Sequence, residues 1–133
     1  MMLPSNAVEA LWPPQALRGA FKRAKGLYTE PKVLRRIQRD KWQFWAGFRR
    51  EELEFVFLTA LDQMDSGGLV CYVTLGGGKN GKEWAELMAP DVFAWASANE
   101  ATEVRVEGRK GWAKVLKGLG FRQDRVLLKR ELP

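Results

Sequence analysis

The chain has 133 residues, the size of one ordinary domain, with 46% hydrophobic and 29% charged residues. That balance predicts a folded soluble protein, and no apolar run approaches the ~20 residues needed to span a bilayer. The absence of histidine excludes a Ser-His-Asp triad, a Cys-His pair and His-ligated zinc, and no other metal-ligand pattern stands out. The single cysteine, Cys71, excludes an intramolecular disulfide and fits a reducing compartment. Residues 1–10 show no basic stretch followed by an apolar one, so no signal peptide is predicted.

Charge is distributed in blocks. Residues 1–50 carry 11 Lys/Arg against 3 Asp/Glu, residues 51–100 carry 2 against 9, and residues 101–133 carry 9 against 4. Such blocks are ordinarily solvated helix faces, and they also suit an anionic partner such as nucleic acid or a phosphorylated cofactor.

In chain order, residues 1–14 hold Pro4, Pro13 and Pro14 and read as an irregular arm anchored by Trp12. Residues 15–133 then read as one domain. Leu17, Ala20, Phe21 and Ala24 recur at helical spacing over residues 15–25, and Gly26 is placed to end that helix. Thr29 and Pro31 open a second helix, with Val33, Leu34 and Ile37 as its buried stripe. Its other faces carry Lys32, Arg35, Arg36, Arg39 and Lys41, a basic surface that could lie on nucleic acid. The nearby Trp42, Phe44 and Trp45 are more simply core, so nucleic acid is the less favoured partner.

Three strands follow. Residues 42–48 are aromatic-rich, and Gly47 marks a bulge or close approach. Residues 53–61 alternate, with Leu53, Phe55 and Phe57 on one face. Residues 69–75 (LVCYVTL) suit a strand covered on both faces. Residues 76–82 (GGGKNGK) form a glycine-rich loop that opens a helix with Trp84, Leu87, Met88 and Trp95 on its apolar side, kinked or split at Pro90. Residues 103–107 form a strand with Val104 and Val106 inward. Residues 108–120 form a short helix with Trp112, Val115, Leu116 and Leu119 buried, and residues 125–132 form a last strand. The order α-α-β-β-β-α-β-α-β combines an antiparallel meander with a βαβ crossover, which predicts the α/β (α+β mixed) class.

Two segments carry chemistry. In the glycine-rich loop, backbone N–H groups and a helix N-terminus would face an anion, with Lys79 and Lys82 adding charge. Gly76-x-x-x-x-Gly81-Lys82 matches most of a nucleotide-binding P-loop, but Glu83 stands where a hydroxyl should meet magnesium, which argues against an NTPase. The loop could equally need its glycines only for turns. The second segment, Glu107-Gly108-Arg109-Lys110-Gly111-Trp112, continues as Val115-Leu116-Lys117-Gly118-Leu119-Gly120-Phe121. Glu107 can act as a base, pair with Arg109 or cap the helix. Arg109 sits where the helix dipole disfavours a cation, which suggests a paired or functional arginine.

The run VEGRKGWAKVLKGLGF, the ending LLKREL and the order of elements resemble the GNAT-like proteins of tailed bacteriophages, relatives of the GCN5-type N-acetyltransferases. The resemblance covers about residues 12–132 and is strongest over 103–132. It implies a central mixed sheet with two N-terminal helices and flanking helices, the first strand absent or reduced, and strand 69–75 parallel to strand 103–107. It implies acetyl-CoA in the splay between those strands, with pantetheine along residues 69–75. Cofactor contacts would come from Val73, Leu75, Gly76, Gly77, Gly78, Lys79, Asn80, Gly81 and Lys82. The family loop, Arg/Gln-x-x-Gly-x-Gly/Ala, keeps its glycines here without a clear Arg or Gln at its first position. The family's general-acid tyrosine on the last helix is replaced by Trp112, and the only tyrosines are Tyr28 and Tyr72. Candidates for the base that deprotonates an amine are Glu107 and Glu54. Two readings follow. One is an acyl-CoA-dependent N-acetyltransferase acting on an amine in the host cytoplasm. The other is a catalytically silent phage interaction protein that binds phage structural proteins and is packaged in the virion.

Overall fold

The computed structural model describes residues 1–24, 26–108, 110–125 and 128–133. Their sheet has five strands, ordered β1 (Met2–Leu3), β2 (Trp42–Arg49), β3 (Glu52–Gln63), β4 (Leu69–Gly78) and β5 (Ala101–Val106). The β1–β2, β2–β3 and β3–β4 pairs are antiparallel, whereas β4 and β5 are parallel. The fold is therefore the mixed α/β arrangement expected from the order of elements. The β4–β5 connection is helix α4 (Gly81–Ala98), as a parallel crossover requires.

The sheet separates two cores of different character. On one face, α1 (Ser5–Leu11), α2 (Arg18–Ala24, entered through a 3-10 turn at Gln15–Leu17) and α3 (Glu30–Gln38) cover the strands. Val8, Leu17, Ala20, Val33 and Ile37 there meet Phe44, Ala46, Val56, Leu58 and Leu75, a largely aliphatic cluster. On the other face, α4 and α5 (Lys110–Lys117) lie over an aromatic cluster. Trp45, Phe55, Phe57, Met88 and Val92 form its centre, with Trp84, Trp95 and Trp112 at its edge. Trp45 stacks on Phe57 at 5.8 Å, and its indole N–H donates to the buried Thr59 hydroxyl, which donates to Gln43.

Several expectations are corrected. The proline-rich arm is not irregular: it contains β1 and α1, and Val8 of α1 is fully buried. β1 is nonetheless only two residues long, the reduced first strand that the resemblance implied. Pro90 does not split α4, because it lies on the exposed side, where water can solvate the carbonyl that loses its partner. Leu87, expected on the apolar side of that helix, is 60% exposed. Leu53 packs with the aliphatic cluster, whereas Phe55 and Phe57 point to the aromatic one. The register explains this: Phe48 opposes Leu53 and Gly47 opposes Phe55, so Glu54 is an extra, bulged residue that reverses the alternation. The described residues of segment 125–132 form no strand, and Val126 and Leu127 lie outside the described residues.

Candidate functional site

The site begins where the sheet opens. β4 pairs with β5 from Leu69↔Ala101 to Val73↔Val106, where β5 ends. β4 continues to Gly78, still paired with β3. The departure coincides with a second bulge. Leu58 opposes Leu75 and Thr59 opposes Val73, leaving Thr74 extra on β4. Its hydroxyl donates to the Leu58 carbonyl at 3.3 Å, which pins the bulge to β3. A bulge bends and twists its strand, here at the point where β4 leaves β5. Past Val73, the outward edge of β4 has no strand beside it among the described residues, so its backbone polar groups can meet a ligand.

A cavity of about 1270 Å³ occupies this opening and reaches both faces of the sheet. Val73, Thr74, Leu75 and Gly76 line it from β4, and Val106, Glu107 and Gly108 from the end of β5. Met88 and Val92 of α4 and Trp112 and Leu116 of α5 close the aromatic side. Tyr28, Arg36 and Trp42 line the other side.

The glycine-rich stretch is shorter as a loop than its sequence suggests. Gly76, Gly77 and Gly78 belong to β4 and oppose Phe57, Val56 and Phe55. A Cβ on Gly77 would collide with the Ala16 carbonyl oxygen, and one on Gly78 with that of Glu54. Gly78 also has φ +123°, a conformation side chains rarely adopt. These glycines therefore admit close backbone packing. The Lys79 N–H is taken as well, donating to the Glu54 carbonyl at 2.8 Å. The Lys79 N–H thus takes no part in an anion cradle over residues 77–82, and the candidate centres on the start of α4. Asn80 is the N-cap at φ 57°, but its side chain makes no capping bond. Its amide instead donates to Glu54 Oε1 at 2.6 Å. The first-turn N–H groups of Gly81, Lys82 and Glu83 therefore point beyond the helix without a side-chain cap. Gly81 is itself roofed by Trp112, whose ring lies 2.8 Å from where a Cβ would stand. Lys82 is exposed, and its ammonium is 4.0 Å from Glu86.

Glu54 holds this helix start in place. Its carboxylate accepts from the Asn80 amide, from the Trp84 indole at 3.0 Å and from Arg49 Nε at 3.1 Å. The Asn80 bond first, then the Trp84 bond and the Arg49 charge, hold its pKa below the ordinary glutamate value. Three donors and a lowered pKa suit an anchor and oppose the work of a base near neutral pH. Arg49 also binds Glu83 at 2.8 Å, which draws that carboxylate and its charge towards β2. Trp84 lies against Gly47, where any Cβ would fall 2.6 Å from its ring. Gly47 therefore serves both the bulge and the close approach expected of it.

Glu107, the other candidate base, lies exposed just past β5 and lines the cavity. Its expected contact with Arg109 falls outside the described residues. Trp112 is half-buried, 6.1 Å from Phe55, and forms cavity wall as well as core. Of the expected cofactor contacts, Val73, Leu75 and Gly76 line the cavity, whereas Gly77, Gly78, Lys79, Asn80, Gly81 and Lys82 are not among its lining residues. Sequence reasoning missed Thr74, Arg49, Tyr28 and Tyr72. A polar residue inside an otherwise apolar strand was the one available signal for Thr74. The tyrosines line the cavity from its second face, which only the tertiary arrangement reveals.

No protein-family model matches the chain, and no curated protein is similar enough in sequence to match. Solved structures do match. A probable acetyltransferase superposes with TM-score 0.73 at 16% identity, covering 100% of this chain and 95% of that one. An aminoglycoside acetyltransferase from an uncultured soil metagenomic sample gives 0.75 at 14%, covering 100% and 97%. A predicted acetyltransferase from Clostridium acetobutylicum, solved with acetyl-CoA, gives 0.72 at 13%, covering 98% and 94%. With its five-stranded mixed sheet and its β4–β5 opening, the chain has the GNAT acetyltransferase fold.

Proposed function

We propose that the protein transfers an acyl group from a coenzyme A thioester to an amine. The parting of β4 from β5 after Val73 and Val106 carries this reading. It opens a strand edge with free backbone groups beside an uncapped helix start. These features fit an amide-bearing chain that ends in a pyrophosphate. When bound, the thioester supplies an activated acyl carbon. Attack by the amine would form the C–N bond and break the C–S bond, the electron pair leaving on the coenzyme A thiolate, which takes a proton from solvent, while one proton is removed from the amine nitrogen.

Each residue has a distinct task in this reading. Val73, Leu75 and Gly76 line the channel for the pantetheine arm. The N–H groups of Gly81 and Lys82, with the Lys82 and Lys79 charges, meet the pyrophosphate, and Asn80 positions the turn. Gly77 and Gly78 act indirectly, by seating β4 against the 3-10 turn and β3. Glu107 accepts the amine proton, directly or through water, while Glu54 positions α4. The test is release of free thiol from acetyl-CoA in the presence of primary amines. Glu107→Gln should lower kcat about a hundredfold, the usual effect of losing a general base. An unchanged kcat removes Glu107 from this role.

A second reading is favoured by one observation: α5 carries Trp112 where the family's general acid would stand. It describes a catalytically silent interaction protein on the same fold, associated with the virion. The phage source in both readings, whether the protein acts in the host cytoplasm or in the virion, follows from the resemblance of residues 103–132. No helix among the described residues is long and apolar enough to cross a membrane. Absence of thiol release with every amine tested, together with no binding of CoA, would select the silent reading.

A further inference from the structure

The second face of the cavity has a chemistry that the acyl-transfer reading leaves unused. Tyr28 precedes α3, Arg36 lies on α3 and Trp42 begins β2, and all three line the cavity. The two rings pack edge to face at 5.2 Å. The Arg36 guanidinium lies 5.0 Å from the Trp42 ring centroid and 5.8 Å from that of Tyr28. Arg36 is half-buried, and no carboxylate among the described residues pairs with it. Aromatic faces therefore orient the cation and leave its in-plane N–H fork without an anion. Arg23, Lys41 and Lys129 add positive charge to the cavity lining, and Asp62 and Glu107 are its carboxylates. A second arginine–aromatic pair lies nearby, Arg105 against Tyr72, but Arg105 is committed to Glu103 at 2.7 Å and to the Tyr72 hydroxyl at 3.2 Å. Arg36 is thus a cation oriented by aromatic faces, with no carboxylate among the described residues paired to it.

We infer that the acyl acceptor is an amine that also carries an anionic group, a carboxylate or a phosphate, bound by the Arg36 fork with the Tyr28 and Trp42 rings beside it. The inference rests on the acyl-transfer reading and specifies its second substrate. A planar fork with several N–H donors matches the two oxygens of either anion. The lining as a whole disfavours polycationic amines, since Arg23, Arg36, Lys41 and Lys129 stand against the two carboxylates Asp62 and Glu107.

Matched amines test this. 4-(Aminomethyl)benzoate is compared with benzylamine, and O-phosphoethanolamine with ethanolamine; spermidine serves as a polycation. Binding is read by calorimetry without any acyl donor, and turnover by thiol release from acetyl-CoA. At least one anionic amine should bind more tightly than its uncharged-end counterpart, and the pair that responds identifies carboxylate or phosphate. Arg36→Gln should raise KM for that amine about tenfold, the loss of one charged hydrogen-bonding partner, with kcat changed less than KM. Arg36→Lys should restore part of the loss, and the affinity for CoA should stay the same, which shows that the variant is folded. Binding of the anionic amine without thiol release would overturn its role as acceptor, and failure of CoA to bind as well would refute acyl transfer. Thiol release with spermidine or benzylamine exceeding that with both anionic amines would overturn the inference and keep acyl transfer. Failure of both anionic amines to bind at millimolar concentration, or an unchanged KM in Arg36→Gln, would also overturn it.

Discussion

The two sides of β4 differ sharply. On the β3 side, nine residue pairs run from Phe55↔Gly78 to Gln63↔Leu69, and even the glycines are held there by backbone contacts. On the β5 side, pairing stops after five pairs, and a cavity begins. One strand is thus a structural member along one edge and a binding surface along part of the other. The Thr74 bulge stands at the changeover. Substitutions facing β3 should therefore cost stability, whereas changes at the opening should cost binding.

The largest expected loss of stability comes from Leu58→Ala. Leu58 is fully buried in the aliphatic cluster, and a cavity there should cost about 2–5 kcal/mol in chemical denaturation. A loss well under this range would mean that the β3 side is less tightly packed than described. Thr59→Val should come next. It removes the acceptor of the buried Trp45 indole N–H at nearly constant volume, and it should cost about 1–3 kcal/mol. Its effect should appear in unfolding, with CoA binding unaltered in the folded fraction.

Lys82→Glu probes the other edge. Lys82 is exposed, so stability should move by no more than about 0.5 kcal/mol. Affinity for CoA should nevertheless fall about tenfold, because the change reverses a charge beside the uncapped helix start. Equal affinities for CoA in wild type and variant would move the pyrophosphate elsewhere. The smallest effect belongs to the anchor between the two edges. Because the pKa of Glu54 is lowered in the folded protein, its contribution is complete above the ordinary glutamate range and disappears as pH falls through the folded value. The difference in melting temperature between wild type and Glu54→Gln should therefore be constant near neutrality and shrink under acid. A difference that grew under acid would contradict the three-donor anchor.

Much of the fold was legible because it rests on local patterns. The helical spacing of Leu17, Ala20, Phe21 and Ala24, the N-cap position of Thr29 and the apolar run of β4 each point to their element without tertiary information. The parallel β4–β5 pair followed from the intervening helix. What was not legible depends on register. A single extra residue at Glu54 moved Leu53 to the opposite core, and no local pattern announces it. The run of glycines looks the same in a phosphate loop and in a strand pressed against a carbonyl. Only the position of Ala16, some sixty residues earlier in the chain, decides for Gly77. The same limit hid the basic and aromatic wall. Arg36 read as one charge on a basic helix, and its place over Trp42 and Tyr28 depends on how α3 crosses the sheet.

The most direct test of the central claim is the set of backbone amide NMR shifts recorded during titration with CoA. The account predicts saturable changes at residues 74–76 on the open edge of β4 and at residues 81–83 in the first turn of α4. Residues 44–46 of β2, which do not line the cavity, should change far less. Dephospho-CoA should shift the same residues, since the pyrophosphate and pantetheine are retained. Saturating CoA without changes at either segment, or with changes confined to the Arg36 wall, would contradict the β4–β5 opening as the thioester site.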